Sequence, residues 1–202
     1  MIANLPFNLQ QFSLLDLQNW NEAIYGAKNR RDFGTLAFPC RMGNYASRIL
    51  LWVRKQEMDR LGYHLCVMLS WLAAIANKED VTLHDEVTKH CGLVASADTP
   101  IAVLQSLFIS RHSTVKLKDA SLCLAEKVLA VGAQLEYYEG THQVEHLILA
   151  KRRMAQCFEA LCVEAGLFEV KLQEGFLKYF GDGCNICHHT PCDCEHRTDK
   201  VK

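Results

Sequence analysis

The sequence predicts an all-α fold, on three observations. Between Arg60 and Asn77 the apolar side chains Leu61, Leu65, Met68, Leu72 and Ile75 alternate at four- and three-residue steps, which keeps them on one helix face. Phe38, Met42, Tyr45, Ile49 and Trp52 repeat that spacing, so a second helix carries a matching stripe. At an offset of 86 residues Leu61, Met68, Leu72 and Ile75 of the first stripe fall on Leu147, Met154, Phe158 and Leu161, and the second stripe falls on Leu124, Val128, Val131, Leu135 and Tyr138. At an offset of 87 the pair Leu17-Gln18 falls on Leu104-Gln105. Duplication is one reading of this pattern; the general ease of aligning any two heptad-like hairpins is the other. The expected architecture is a helical bundle of two helix-hairpin units, residues 1–95 and 96–181, followed by a Cys-rich segment and polar tail at 182–202.

Taken in order, residues 1–12 read as a lead-in whose Leu5, Phe7 and Phe12 need a surface to cover. Ser13 is a fair N-cap with Asp16 three positions on, and opens a helix reaching about Ala27, with Gly26 helping to end it and a charged turn over 28–34. The second helix starts near Phe38 and Pro39, where proline is tolerated in the first turn. A polar break from Arg54 to Asp59 precedes the Arg60–Asn77 helix, and a short helix then runs from Val81 or Thr82 to Gly92. The small, turn-prone stretch Leu93–Thr99 before Pro100 is the unit boundary. Further helices are expected over Pro100–Ile109, over Lys116–Glu139 with Gly140 as its stop, over Val144–Ala165 with Gly166 as its cap, and from Phe168 to Phe180.

Composition bounds the function. The chain has 202 residues, half of them apolar, so it can bury a sizeable core. With 22 Lys plus Arg against 23 Asp plus Glu, nothing indicates nucleic-acid or membrane-surface binding. The longest apolar-rich run, Leu65–Ala76, is shorter than the roughly 20 residues of a membrane span. The N-terminus lacks the pattern of a signal peptide, so a soluble cytoplasmic protein is expected. Six of the ten cysteines (Cys40, Cys66, Cys91, Cys123, Cys157, Cys162) are scattered singly and read as small buried hydrophobes with reduced thiols.

The other four make the strongest chemical signal, CNICHHTPCDC. Cys184 and Cys187 form C-x-x-C and Cys192 and Cys194 form C-x-C, with His188, His189 and His196 as alternate ligands. Four thiolates so close together suit a tetrahedral Zn²⁺, and a C-x-x-C turn naturally puts two sulfurs on one ion. Four protein ligands leave no position for water, so the expected zinc is structural, a knuckle that locks the chain end or offers a docking surface.

The order of a short helix opening with Leu-Gln, a helix hairpin with an aromatic at the end of its first arm, a turn and another short helix resembles the MazG-like nucleotide pyrophosphohydrolases. Residues 64–87, HLCVMLSWLAAIANKEDVTLHDEV, look like that family's third helix and the turn into its fourth. The resemblance implies an all-α unit that cleaves nucleoside triphosphates with Mg²⁺ held by E-x-x-E and E-x-x-D carboxylates on facing helices. Here those positions read Gly43, Asn44 and Ser47, then His64 and Val67. In the second half they read Glu126, Lys127 and Ala130, then Ala150 and Arg153, so Glu126 is the one acid in place. The resemblance therefore implies a relative that lost Mg²⁺ chemistry and kept the bundle to bind a nucleotide or a protein partner, either alone or as a homo-oligomer. The rival reading is an active pyrophosphohydrolase, with Mg²⁺, using Glu126, Glu136, Glu139 and Glu145, with Glu126 and His64 the candidate catalytic residues.

Two shorter patterns stand beside it. His142-Gln143-Val144-Glu145-His146 matches the H-x-x-E-H of inverted zinc peptidases, which makes His142 and His146 a second metal candidate with Glu164 or Glu169 as a conceivable third ligand. Chance at a solvated helix start is the preferred explanation. His84-Asp85 resembles the paired residues of HD-type phosphohydrolases, although Asp85 also serves as a first-turn acid. His64, near an apolar face, is expected to be a hydrogen-bonded core histidine.

Overall fold

The computed structural model describes residues 9–55, 60–93 and 96–194. Leu5 and Phe7 of the lead-in, part of the 54–59 break, Val94 and Ala95 of the unit boundary, and His196 with the polar tail lie outside them. Among the described residues a 3₁₀ turn at Leu9–Gln11 precedes eight α-helices. They are α1 (Leu14–Asp32), α2 (Ala37–Lys55), α3 (Leu61–Lys78), α4 (Leu83–Cys91), α5 (Ile101–Arg111), α6 (Leu117–Thr141), α7 (Val144–Leu167) and α8 (Leu172–Phe180). None of these helices is long and apolar enough to cross a membrane.

Local chemistry explains most of the boundaries. Ser13 and Asp16 form a full capping box at α1, the Ser13 hydroxyl accepting from the Asp16 N–H at 3.1 Å while the Asp16 carboxylate accepts from the Ser13 N–H at 2.9 Å. Gly92 ends α4 in the left-handed conformation that glycine adopts without steric cost. Four boundaries differ from the sequence expectation, one of them at α7, which includes the expected cap Gly166 and ends at Leu167. Helix α1 passes through Gly26 and continues to Asp32, because tertiary partners favour helix over 28–32: Lys28 and Asn29 are buried, and the Lys28 ammonium donates to the carbonyl of Cys194. Helix α6 includes Gly140, and His142 takes the left-handed cap at φ 56°. Helix α8 begins only at Leu172, since Glu169 at φ 56° and a 2.8 Å bond from the Val170 N–H to the Ala165 carbonyl make a reversed turn of the preceding residues.

Helix α3 lies at the centre, packed against α1, α2, α7 and α8. Its stripe Leu61, Leu65, Met68, Leu72 and Ile75 is buried, and so is every other residue from His64 to Ala76. A helix apolar all round belongs inside the protein, and burying each of its leucines is worth roughly 1.5–3 kcal/mol. Cys66, Cys157 and Cys162 are buried as expected of small hydrophobes, but Cys40 and Cys123 are exposed and Cys91 is half-buried.

The two halves are packed in matched fashion. Helix α1 rests on α3 and α4 as α5 rests on α7 and α8, and the hairpin pairs are α2 with α3 and α6 with α7. Each fourth helix lies on the third helix of the other half, α4 on α7 and α8 on α3, while α2 meets α6 and α3 meets α7. One glutamine per half organises the arrangement. Gln18 donates to the Val81 carbonyl (2.8 Å) and accepts from the Leu83 N–H (2.7 Å). Gln105 donates to the Val170 carbonyl (2.7 Å) and accepts from the Leu172 N–H (3.1 Å). Ser13 and Pro100 meet in an antiparallel bridge between the starts of α1 and α5.

The turns before α4 and α8 fix the register of the third helices. The Val81 N–H donates to the Ala76 carbonyl just as the Val170 N–H donates to that of Ala165, and Asp80 and Glu169 both take positive φ. That correspondence is 89 residues, three more than the offset read from the stripes. Leu61 then matches the buried Ala150 in place of the half-buried Leu147. A heptad-like stripe looks nearly the same after a three-residue slip, so apolar spacing alone left this turn of helix undetermined.

One interior acid carries a pH signature. Glu164 on α7 is fully buried, with one carboxylate oxygen accepting from the Ser121 hydroxyl at 2.5 Å and the other without a partner. Burial pushes its pKa from 4.5 up to about 7, and the Ser121 bond only partly opposes the shift. The advantage of the protonated folded form is therefore full below about 4.5 and is lost as pH rises through about 7, a swing on the order of 3 kcal/mol. Glu164→Gln should flatten the pH dependence of unfolding free energy across that window and be more stable than the parent near about pH 8. Parallel curves for the two proteins would show that Glu164 does not titrate in this way.

Candidate metal centre

The C-terminal segment after α8 is built by backbone geometry. Gly183 sits at φ 109°, and a Cβ there would lie 2.8 Å from the Thr190 hydroxyl and 2.9 Å from the His189 carbonyl oxygen, so only glycine fits the strand of chain that folds back on it. The Cys184 N–H donates to the His189 carbonyl (3.1 Å) and the His188 N–H to the Cys184 carbonyl (2.8 Å), closing a tight loop around the C-x-x-C.

This loop brings four sulfurs together. The Sγ atoms of Cys184, Cys187, Cys192 and Cys194 all lie within 4.8 Å of one another, with Cys184 to Cys194 at 3.8 Å and Cys187 to Cys192 at 4.0 Å. A tetrahedral ion with bonds of about 2.3 Å to sulfur requires S···S edges of about 3.8 Å. The thiols are free and the cluster could hold a metal ion. Burial raises the Cys184 thiol, but N–H groups of Cys187 and Ile186 and the Tyr25 hydroxyl outweigh it and bring the pKa to about 7. Burial and the neighbouring sulfurs push Cys194 up, and Cys192 is also raised, chiefly by burial. Four thiolates at this spacing need a cation among them.

The cluster is fastened to the bundle through residues that motif reading passed over. Asn185, inside the C-x-x-C, accepts from the Tyr25 hydroxyl (2.9 Å) and donates from its amide to the Tyr63 hydroxyl (2.6 Å). The Cys192 N–H donates to the Ile24 carbonyl at 2.7 Å, and the Trp20 indole donates to the Phe180 carbonyl at 2.8 Å. The loop thus docks on α1 and α3. Tyr25 and Lys28, on one face of α1 three residues apart, are the signal that could have located this dock.

Among the described alternate ligands, His189 comes near one cysteine of the cluster. His189 is exposed and pairs with Asp193 at 2.7 Å, and those two with Cys187 form a second, outward group of potential ligands; His188 is in neither group. His64 is buried on α3 with Nδ1 2.6 Å from the Arg60 carbonyl oxygen, its ring packed among Tyr45, Trp52 and Tyr63. Glu126 is 72% exposed and paired with Lys127 at 3.3 Å, and Glu136, Glu139 and Glu145 are exposed around the tip of the α6–α7 hairpin. His142 is the exposed cap of α6, while His146 bonds to Gln134 (3.1 Å) and stacks on Tyr137. Among the described residues, no group of three close metal-ligating side chains includes either histidine. Glu164 faces Ser121 and Glu169 occupies a turn. His84 is buried and Asp85 stands in the first turn of α4.

A further polar cluster had no motif to announce it. Glu159 on α7 accepts from His90 at the end of α4 (2.8 Å) and from His112 after α5 (3.0 Å). Burial works against its charge, but the two histidine N–H groups outweigh that cost and lower its pKa. No family model, no curated protein and no solved structure matches the chain.

The Gly183 geometry has a direct consequence. Gly183→Ala should destabilise the metal-loaded chain by roughly 1–3 kcal/mol, read as a lower thermal midpoint. Gly140→Ala, where a Cβ meets open space inside a helix, should leave the midpoint unchanged or slightly higher. Equal midpoints for the two variants would contradict the close approach at Gly183.

Proposed function

We propose that the chain is a catalytically degenerate, MazG-like helical protein that acts by binding a nucleotide or a protein partner, with Zn²⁺ as a structural element of its C-terminal knuckle. The observation that carries the metal assignment is the four-sulfur cluster, with edges close to those of a tetrahedral site and no place for a fifth, reactive ligand. Zinc there would hold the chain end against α1 and α3. A reduced, cytoplasmic setting suits the free thiols.

The loss of catalysis is supported by what stands at the positions the resemblance assigns to metal-holding acids. Gly43, Asn44 and Ser47 supply no carboxylate, Val67 and His64 are buried, and Glu126 points to solvent with Lys127 as its partner. A Mg²⁺ site needs several carboxylate oxygens converging on one point, and these residues do not offer it.

Purified chain should contain about one zinc, lost in the Cys184→Ser, Cys187→Ser double variant together with a fall in thermal stability. With Mg²⁺ or Mn²⁺, a panel of nucleoside triphosphates should yield no pyrophosphate above background. Release that disappears in Glu126→Gln would overturn the degenerate reading, and a zinc content untouched by the cysteine changes would overturn the knuckle.

A further inference from the structure

Behind the His90–Glu159–His112 cluster lies a cavity of about 250 Å³ between α6 and α7. Its walls divide by chemistry. Val115, Ala120, Ala160 and Val163 are its apolar lining, and Lys127 and Gln156 join His90, His112 and Glu159 as its polar lining. In the register fixed by the turns before α4 and α8, Ala160 corresponds to Trp71. Trp71 is buried, with its ring against Phe33 and Phe38 at centroid distances of 6.1 and 5.7 Å. The first half fills this place with an indole; the second leaves it open behind a polar rim. Glu159 and Gln156 likewise replace the smaller or apolar Ser70 and Val67.

The rim has more donors to offer than acceptors. Both oxygens of Glu159 are already engaged by the histidines. The Gln156 carbonyl accepts from Arg153 at 2.8 Å, which turns its amide N–H groups to other partners. Lys127 holds only the exposed Glu126, a surface pair that is readily exchanged. The Cys123 thiol, on the wall although the residue is exposed, is raised by desolvation and by the carboxylates of Glu126, Glu159 and Glu164, with Lys127 opposing.

We infer that this cavity is a binding site for a small organic anion, its compact apolar body seated on Ala120, Ala160 and Val163 and its carboxylate or phosphate held by Lys127 and Gln156. A cavity of about 150 Å³ lined by apolar side chains accepts benzene, so this volume admits a single ring with an acidic substituent. The site does not rest on the loss of catalysis: pyrophosphate release would overturn the proposed function and leave the binding result intact.

The test titrates the zinc-loaded full chain with benzoate, phenyl phosphate and benzyl alcohol, following the methyl resonances of Ala160 and Val163. At least one of the two anions should shift these methyls saturably, at least about tenfold more tightly than benzyl alcohol; the tighter anion identifies the headgroup. Lys127→Gln should remove that preference, and Ala160→Trp, which copies the first half, should abolish binding. Absence of binding by both anions, equal binding of benzyl alcohol, or unchanged anion affinity in Lys127→Gln would each overturn the site.

Discussion

Everything in this bundle depends on satisfying the backbone where α4 and α8 begin. A helix start leaves N–H groups without intrahelical partners, and at these two starts the first helical residues, Leu83 and Leu172, are buried. The buried N–H groups of Leu83 and Leu172 must be met by protein or the fold forfeits roughly 1–3 kcal/mol for each. Gln18 and Gln105 meet them from neighbouring helices, and in doing so hold α4 and α8 in the orientations that lay them across α7 and α3. The exchange of fourth helices follows from those side-chain bonds together with the apolar faces they align, and the packing of α2 on α6 and α3 on α7 completes the union of the two halves.

From that frame, matched elements are put to unlike uses. The first half fills its interior with Trp71, Phe33 and Phe38 and offers Tyr25 and Tyr63 as anchors for the cysteine loop. The second half carries Ala160 in place of the indole, and its His112 and Glu159 meet His90 from α4 of the first half at the opening this leaves. One half is closed by a cluster that can take a metal; the other retains a cavity. Such a division is available to a chain with two like halves, because each can change without altering its counterpart.

The helices were legible in the sequence, since apolar period and capping residues are local properties: the Ser13–Asp16 box and the stripe through Leu61 and Ile75 stand as read. Gly26 and Gly140 misled as helix stops, because long-range contacts such as that of Lys28 with the Cys194 carbonyl extend the first helix, and because a non-glycine residue, His142, took the left-handed cap of α6. The cysteine cluster was legible because its ligands are close along the chain. Its dock at Asn185, Tyr25 and Tyr63, and the pairing of Glu159 with two histidines, join residues 47 to 160 positions apart that no spacing rule connects. The Leu-Gln pairs were visible at an offset of 87, but their purpose was not, because a glutamine's partner depends on which buried amide comes within reach.

The most direct measurement of this account is amide hydrogen exchange at Leu83 and Leu172 in the parent chain and in Gln105→Ala. The parent should protect both amides to a similar degree, among the slowest in the protein. In Gln105→Ala, protection at Leu172 should fall toward that of a fraying helix end, with a smaller loss at Leu83. Unchanged protection of Leu172 without its glutamine would show that packing alone holds α8 in place and would contradict the central role given to these bonds.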